Sequence, residues 1–265
     1  MSPIDPSNEP LDLTPAPATP APVPPPLEPS PLLPEPPPPR EPFWDYTDLL
    51  LFVFLLFASL ALALVVGIIL FSKLNPAFRL LLPQILWYVL AFSALKVLLL
   101  IRYGRPFWSS LGWRSIPIPA ALGALFMGPV LAISVSLLGA ALRTPPIELP
   151  FQQMLGAPGA NVLLGILVVI LGPAAEELAF RGFLMPLLIR SLGASAGIIL
   201  TGFIFGSIHG YEYEWSWRYM LLISLVGCVL GWAKYRTKST AASALMHSTF
   251  NLTQFAAFLW QSRAL

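Results

Sequence analysis

The chain predicts an all-α, polytopic membrane helix bundle of about seven transmembrane helices, within a range of six to eight, preceded by a disordered proline-rich tail. Three observations carry this. Of its 265 residues, 56% are hydrophobic and only 11% charged, whereas a soluble domain carries roughly a quarter charged. Mean hydropathy is +0.74. Apolar runs long enough to cross a bilayer recur along the chain, since about 20 residues at a rise of about 1.5 Å cover a hydrocarbon core of roughly 30 Å. The net charge of +2 is too small to point to nucleic acid. The single cysteine, Cys228 in "LVGCVLG", rules out an internal disulfide and a thiolate metal cluster, and reads as a small buried hydrophobe.

Residues 1–45 form the first unit. Eighteen of the thirty prolines fall there, as in "PAPATPAPVPPPLEPSPLLPEPPPPR". Such a segment cannot bury a core and is expected to be disordered with polyproline II character. It reads as an acidic extended spacer, the alternative being a ligand for a proline-binding module. Without a basic n-region, or an apolar core before Leu49, it is not expected to be a signal peptide.

Residues 46–265 form the membrane domain. The first span runs from Leu49 to Phe71 and the second from Leu80 to Ile101. The segment "RYGRPFWSSLGWRSIPIP" reads as a basic, aromatic interfacial loop, and Pro119 to Leu142 as the third span. "RTPPIELPFQQMLGAPGA" reads as a loop or a short surface helix. Asn161 to Arg190 is the fourth span and Ala194 to His209 the fifth. "YEYEWSWR" is an interfacial aromatic segment, Tyr219 to Trp232 the sixth span and Thr240 to Trp260 the seventh. With seven spans, eight basic residues fall on the side of the N-terminus and five on the other. That bias favours a cytoplasmic N-terminus. With no organellar presequence in view, a bacterial inner membrane is the expected location.

The chemistry concentrates in "GPAAEELAFRGFL", residues 172–184. Eight of the thirteen acids precede residue 49, so Glu176 and Glu177 are two of only five left for the rest of the chain. An ionised group at bilayer depth costs at least a few kcal/mol and is usually functional. On a helix, residues i and i+4 share a face whereas i and i+1 diverge by about 100°. Glu177 and Arg181 are therefore expected to pair, leaving Glu176 as the spare carboxylate, free to face the two histidines of the chain. These are His209, closing "FIFGSIHG", and His247, opening "HSTFN". Asn251 shares a face with His247; taken alone it reads as an interhelical hydrogen bond. One carboxylate and two histidines suit a hydrolytic zinc site, with Glu176, His209 and His247 as candidate ligands. Without metal, Glu176 and His209 suit general-base activation of water, and His247 with Asn251 suits oxyanion stabilisation. Neither H-E-x-x-H nor G-x-S-x-G is present.

Three motifs in order, "EELAFR" (176–181), "FGSIH" (205–209) and "HSTFN" (247–251), resemble the CAAX-processing and bacteriocin-processing (Abi) family of intramembrane endopeptidases, which includes type II CAAX prenyl proteases. The resemblance extends over about residues 111–260, taking in "LGWR" (111–114). It implies a site of Glu176, Glu177, Arg181, His209, His247 and Asn251. Glu176 would activate water, Glu177 would pair with Arg181 or assist, and His209 would work with Glu176 on water or metal. His247 and Asn251 would complete the site as ligands or oxyanion donors. The implied partners are a membrane-associated peptide substrate and the bilayer, with zinc as an open cofactor. Two other classes use the same groups: a transporter with a proton relay, and a catalytically silent scaffold acting through the tail.

Overall fold

The computed structural model describes residues 41–147 and 159–264. Among them there are eight helices and no strand: α1 Tyr46–Phe71, α2 Pro76–Tyr103, α3 Phe107–Ser110, α4 Ile118–Ala141, α5 Ala160–Leu192, α6 Ala194–Ile208, α7 Trp217–Thr237 and α8 Thr240–Ala264. Each of the seven apolar runs is a helix, and the basic aromatic loop contains the single turn α3. By length and composition α1, α2, α4 and α5 suffice to cross a membrane. Their outer faces are bare hydrocarbon: Leu50 is 70% exposed, Phe54 68%, Ile101 77% and Phe126 69%. An apolar surface of this extent is stable only in lipid, and the protein is an integral membrane protein.

Local chemistry sets the helix ends. Asp45 caps α1, accepting from the amides of Thr47 (2.8 Å) and Asp48 (3.2 Å), while the Asp48 carboxylate accepts from the Asp45 amide at 3.0 Å. Asn75 caps α2 just ahead of Pro76, and Gly104 ends it at φ +61°. The buried Asp48 also binds Arg102 at 3.0 Å and the Tyr103 hydroxyl, which locks α1 against the end of α2. α4 packs on α8 and α6 on α7, while α5 packs between α6 and α8. The α6–α7 contact is backbone-close: a Cβ on Gly227 would stand 2.9 Å from the Gly202 Cα. Small residues at such crossings replace the hydrophobic drive that lipid removes.

The tail boundary drawn at residue 45 is too late. Trp44 is 1% exposed, stacks on Phe183 with ring centroids 5.3 Å apart, and donates its indole N–H to the Phe183 carbonyl at 3.1 Å. Arg190 donates to the carbonyls of Pro42 (2.7 Å) and Trp44 (3.1 Å). Proline and acid dominate the composition up to this point and mask an aromatic anchor in "EPFWDY". The loop 102–119 is also tethered. Thr240 donates its amide to the Gly112 carbonyl (2.9 Å) and its hydroxyl to that of Leu111 (2.6 Å), and Ser239 donates to Arg114 at 2.9 Å. The expectations for residues 1–40, and for a surface helix within 148–158, lie outside the described residues.

Candidate active site

α5 is not a uniform α-helix. It widens into π-helical register at Leu167–Leu171 and again at Leu178–Leu184, on either side of the Glu176–Glu177 pair. Each widening ends two residues before a proline, Pro173 and Pro186. A proline ring collides with the carbonyl at i−4 and brings no N–H. A switch to the i−5 register moves that carbonyl away, as π-bulges in functional helices do. The Gly172 amide accordingly bonds the Leu167 carbonyl. The next amide in this register, at Pro173, does not exist, so the Val168 carbonyl needs another donor. Asn251 supplies it, its Nδ2 standing 2.8 Å from Val168 O.

Glu177 is fully buried and fully engaged. Its Oε1 accepts from Arg181 Nη1 at 2.7 Å and from His247 Nδ1 at 3.0 Å, and its Oε2 from the Ser243 hydroxyl at 2.6 Å. Ser243 also lies 2.9 Å from the Leu230 carbonyl, but one hydroxyl proton serves one acceptor at a time and the carboxylate is nearer. Arg181 is equally buried. Its Nη2 donates to the Gly227 carbonyl at 2.9 Å and its guanidinium lies 4.5 Å from the Phe205 ring centroid, while its Nε–H has no acceptor. The carboxylate, the carbonyl and the aromatic face together offset the desolvation of this charge.

Glu176 has a different environment. Its side chain is 29% exposed, and its Oε2 lies 3.8 Å from His247 Nε2. The one ring of His247 thus spans both adjacent carboxylates. The expectation that Glu177 would leave the histidines to Glu176 is corrected here. Backbone positions 176 and 177 diverge by about 100°, but the two nitrogens of an imidazole lie on different edges, so a ring placed between them reaches both. Because the Glu177 carboxylate can only accept, His247 Nδ1 carries a proton. A neutral His247 therefore presents the lone pair of Nε2 toward Glu176.

His209 stands apart. Its Nδ1 donates to the Phe205 carbonyl at 2.7 Å, which fixes the tautomer and leaves Nε2 free, and its ring packs on Phe205 at 4.7 Å. The ion pairs among the described residues include none between His209 and Glu176. Asn251 commits one of its two amide N–H groups to the Val168 carbonyl, which leaves one donor on that nitrogen. Among the described residues no three His, Cys, Asp or Glu side chains cluster as a metal requires. The donor set of Glu176, His209 and His247 does not fit the ion in this arrangement.

Three contributors were missed in the sequence. Ser243 and the Gly227 carbonyl complete the Glu177–Arg181 pair, and only the i+4 spacing of Ser243 to His247 hinted at either. Glu212 was read as part of an interfacial segment. Burial raises its carboxyl above the ordinary range, with the nearby charge of His209 lowering it and that of Glu176 raising it again. Cys228 is half-buried and packs against Gly202.

The described bundle is thus a helical membrane protein whose core encloses a Glu–Arg pair and a histidine shared between two carboxylates. Residues 158–253 match the family model described as Type II CAAX prenyl endopeptidase Rce1-like, the family that the three motifs resemble. All six motif residues fall within the match. "LGWR" falls outside it, so the matched segment is narrower than the 111–260 expected. The family so described is one of endopeptidases, and the match covers less than half of the chain. No curated protein and no solved structure matches the chain.

Proposed function

We propose that the protein is an intramembrane endopeptidase in which Glu176 is the general base and Glu177 is not. The observation that carries this is the asymmetry of the pair. Glu177 is buried and its two oxygens accept from Arg181, His247 and Ser243, so taking a proton would remove the charge that balances Arg181 in the core. Among the described residues Glu176 has no such donors, and it is partly open. Two acceptors 3.8 Å apart, Glu176 Oε2 and His247 Nε2, are satisfied together by a molecule that donates to both, as water can. In the proposed reaction water gives one proton to Glu176 while its oxygen forms the bond to the scissile carbonyl carbon. The C–N bond then breaks as that proton passes to the leaving amine. Glu177 holds His247 in the tautomer and orientation that receives the water, and His209 keeps Nε2 available for water or substrate. The family description favours CAAX-type prenylated peptides as substrates, with other small membrane-associated peptides as the alternative.

The test is cleavage of a panel of prenylated and unprenylated peptides by the purified protein, with and without a strong chelator. Cleavage that persists under chelation supports the metal-free route. Loss under chelation with restoration by zinc assigns the site a metal. No cleavage, together with proton flux in liposomes, overturns the endopeptidase reading in favour of a relay.

A further inference from the structure

A cavity of about 610 Å³ opens at the end of the bundle where α2, α5 and α7 finish, and neither the Glu pair nor the histidines line it. Arg105, Arg114, Arg190, Lys234 and Lys238 line it, with Glu41 as the one carboxylate. Among the described residues none of the five cations makes an ion pair. Of the five, Arg190 alone spends side-chain hydrogen bonds on described residues, both through Nη1 to backbone carbonyls. Arg105 lies over Phe43 and Lys238 over Tyr235, contacts that leave their N–H groups free. Lys234, past the apolar stretch 219–232 of α7, is pushed down to about 8 by burial and by the charges of Lys238 and Arg114. Lys238 ends α7 at φ +56°, a left-handed position that favours glycine, yet it carries a charge at the cavity rim. Among the described lining residues five cations face one carboxylate, Glu41, and the excess positive charge leaves a repulsion that a bound anion removes.

The depth of the cavity identifies the kind of anion. Trp108, beside the lining residue Ser109, and Trp232, two residues before Lys234, are each 56% exposed. Exposed tryptophans flanking apolar helices mark headgroup level, and basic pockets between helices at that level hold phosphate headgroups. Guanidinium groups match phosphate oxygens in geometry as well as charge. We propose that this cavity binds a phosphate ester anion, the headgroup of an anionic phospholipid or a soluble phosphate ester.

The experiment measures retention of phosphatidylglycerol and phosphatidylcholine by the purified full chain, by native mass spectrometry, with inorganic phosphate as a competitor. The wild type is expected to retain the anionic lipid preferentially. Each basic residue near a membrane surface contributes about fivefold, so Arg114→Gln, Lys234→Gln and Lys238→Gly together are expected to weaken retention by about a hundredfold. Lys238→Gly alone should lower it by about fivefold without loss of thermal stability, since glycine suits the left-handed backbone. Phosphatidylglycerol that survives millimolar phosphate identifies a lipid site, and displacement identifies a soluble phosphate ester. Equal retention of the two lipids, with no thermal shift on adding phosphate, overturns the proposal. So does a folded triple variant that binds as the wild type does. Retention that rises when Glu28 and Glu35 are changed to Gln assigns the cavity to the acidic segment of the chain itself and also overturns it.

Discussion

Glu177 and Arg181 show how far residue spacing reaches. The i,i+4 rule anticipates their contact, because both sit on one helix and the geometry is local. Ser243, the Gly227 carbonyl and the second edge of His247 come from other helices, and no spacing within one helix encodes them. The enclosure has a measurable consequence. Arg181→Ala strands a buried carboxylate and is expected to lower stability by about 3–5 kcal/mol, read as a fall in thermal midpoint and yield in detergent. Stability within about 0.5 kcal/mol of wild type, as for a surface change, would mean that the pair is solvated. Ser243→Ala removes one donor to a charged acceptor and should cost about 1–3 kcal/mol. Glu212 carries the pH dependence outside the spans. Its folded carboxyl is raised, chiefly by burial, so its contribution is fully present below the ordinary carboxylate range and is lost as pH rises through the raised value. Glu212→Gln is expected to flatten that part of the stability profile and to exceed wild type above it. A thermal-shift series over pH that superimposes the two proteins would contradict this.

At the level of the element, α5 departs most from what its sequence suggested. The apolar run and the motif were legible, but the two π-helical stretches follow from where Pro173 and Pro186 fall, and their register emerges only once neighbouring helices supply donors. The Glu176–Glu177 pair sits on the short α-helical stretch between them. Asn251 then has a structural part that its motif position conceals: it satisfies the carbonyl that Pro173 abandons. Asn251→Ala is expected to lose about 1–3 kcal/mol by leaving Val168 O unpaired. Pro173→Ala restores a backbone N–H and should recover part of that loss in the double variant, as a thermodynamic cycle would show. A cycle with no coupling, and cleavage lost without any change in stability, would return Asn251 to the chemistry. The anchor before α1 behaves likewise. Trp44→Ala removes a buried indole and should cost about 3–5 kcal/mol, whereas a chain lacking residues 1–40 retains the anchor. Equal thermal midpoints for Trp44→Ala and wild type would show that 41–45 belong with the tail after all.

Over the whole molecule, hydropathy located all seven long helices to within a few residues, because apolar length is the strongest signal that a membrane imposes on a sequence. Which helices pair with which was not legible, since lipid-facing and core-facing positions are equally apolar here and close crossings rest on glycines such as Gly202 and Gly227. The architecture that results sets two polar regions apart, a basic cavity at one end and a buried acid–histidine cluster within the bundle. The account stands on the division of labour inside that cluster: adjacent glutamates, one structural and one reactive. The most direct measurement is peptide cleavage by Glu176→Gln and Glu177→Gln variants, each with its thermal midpoint. Glutamine keeps the shape of glutamate but cannot take a proton. The account predicts that Glu176→Gln stays folded and loses cleavage by about a hundredfold or more, while Glu177→Gln loses stability first and keeps residual cleavage. A Glu176→Gln protein that cleaves near the wild-type rate, or the two effects reversed, would contradict it.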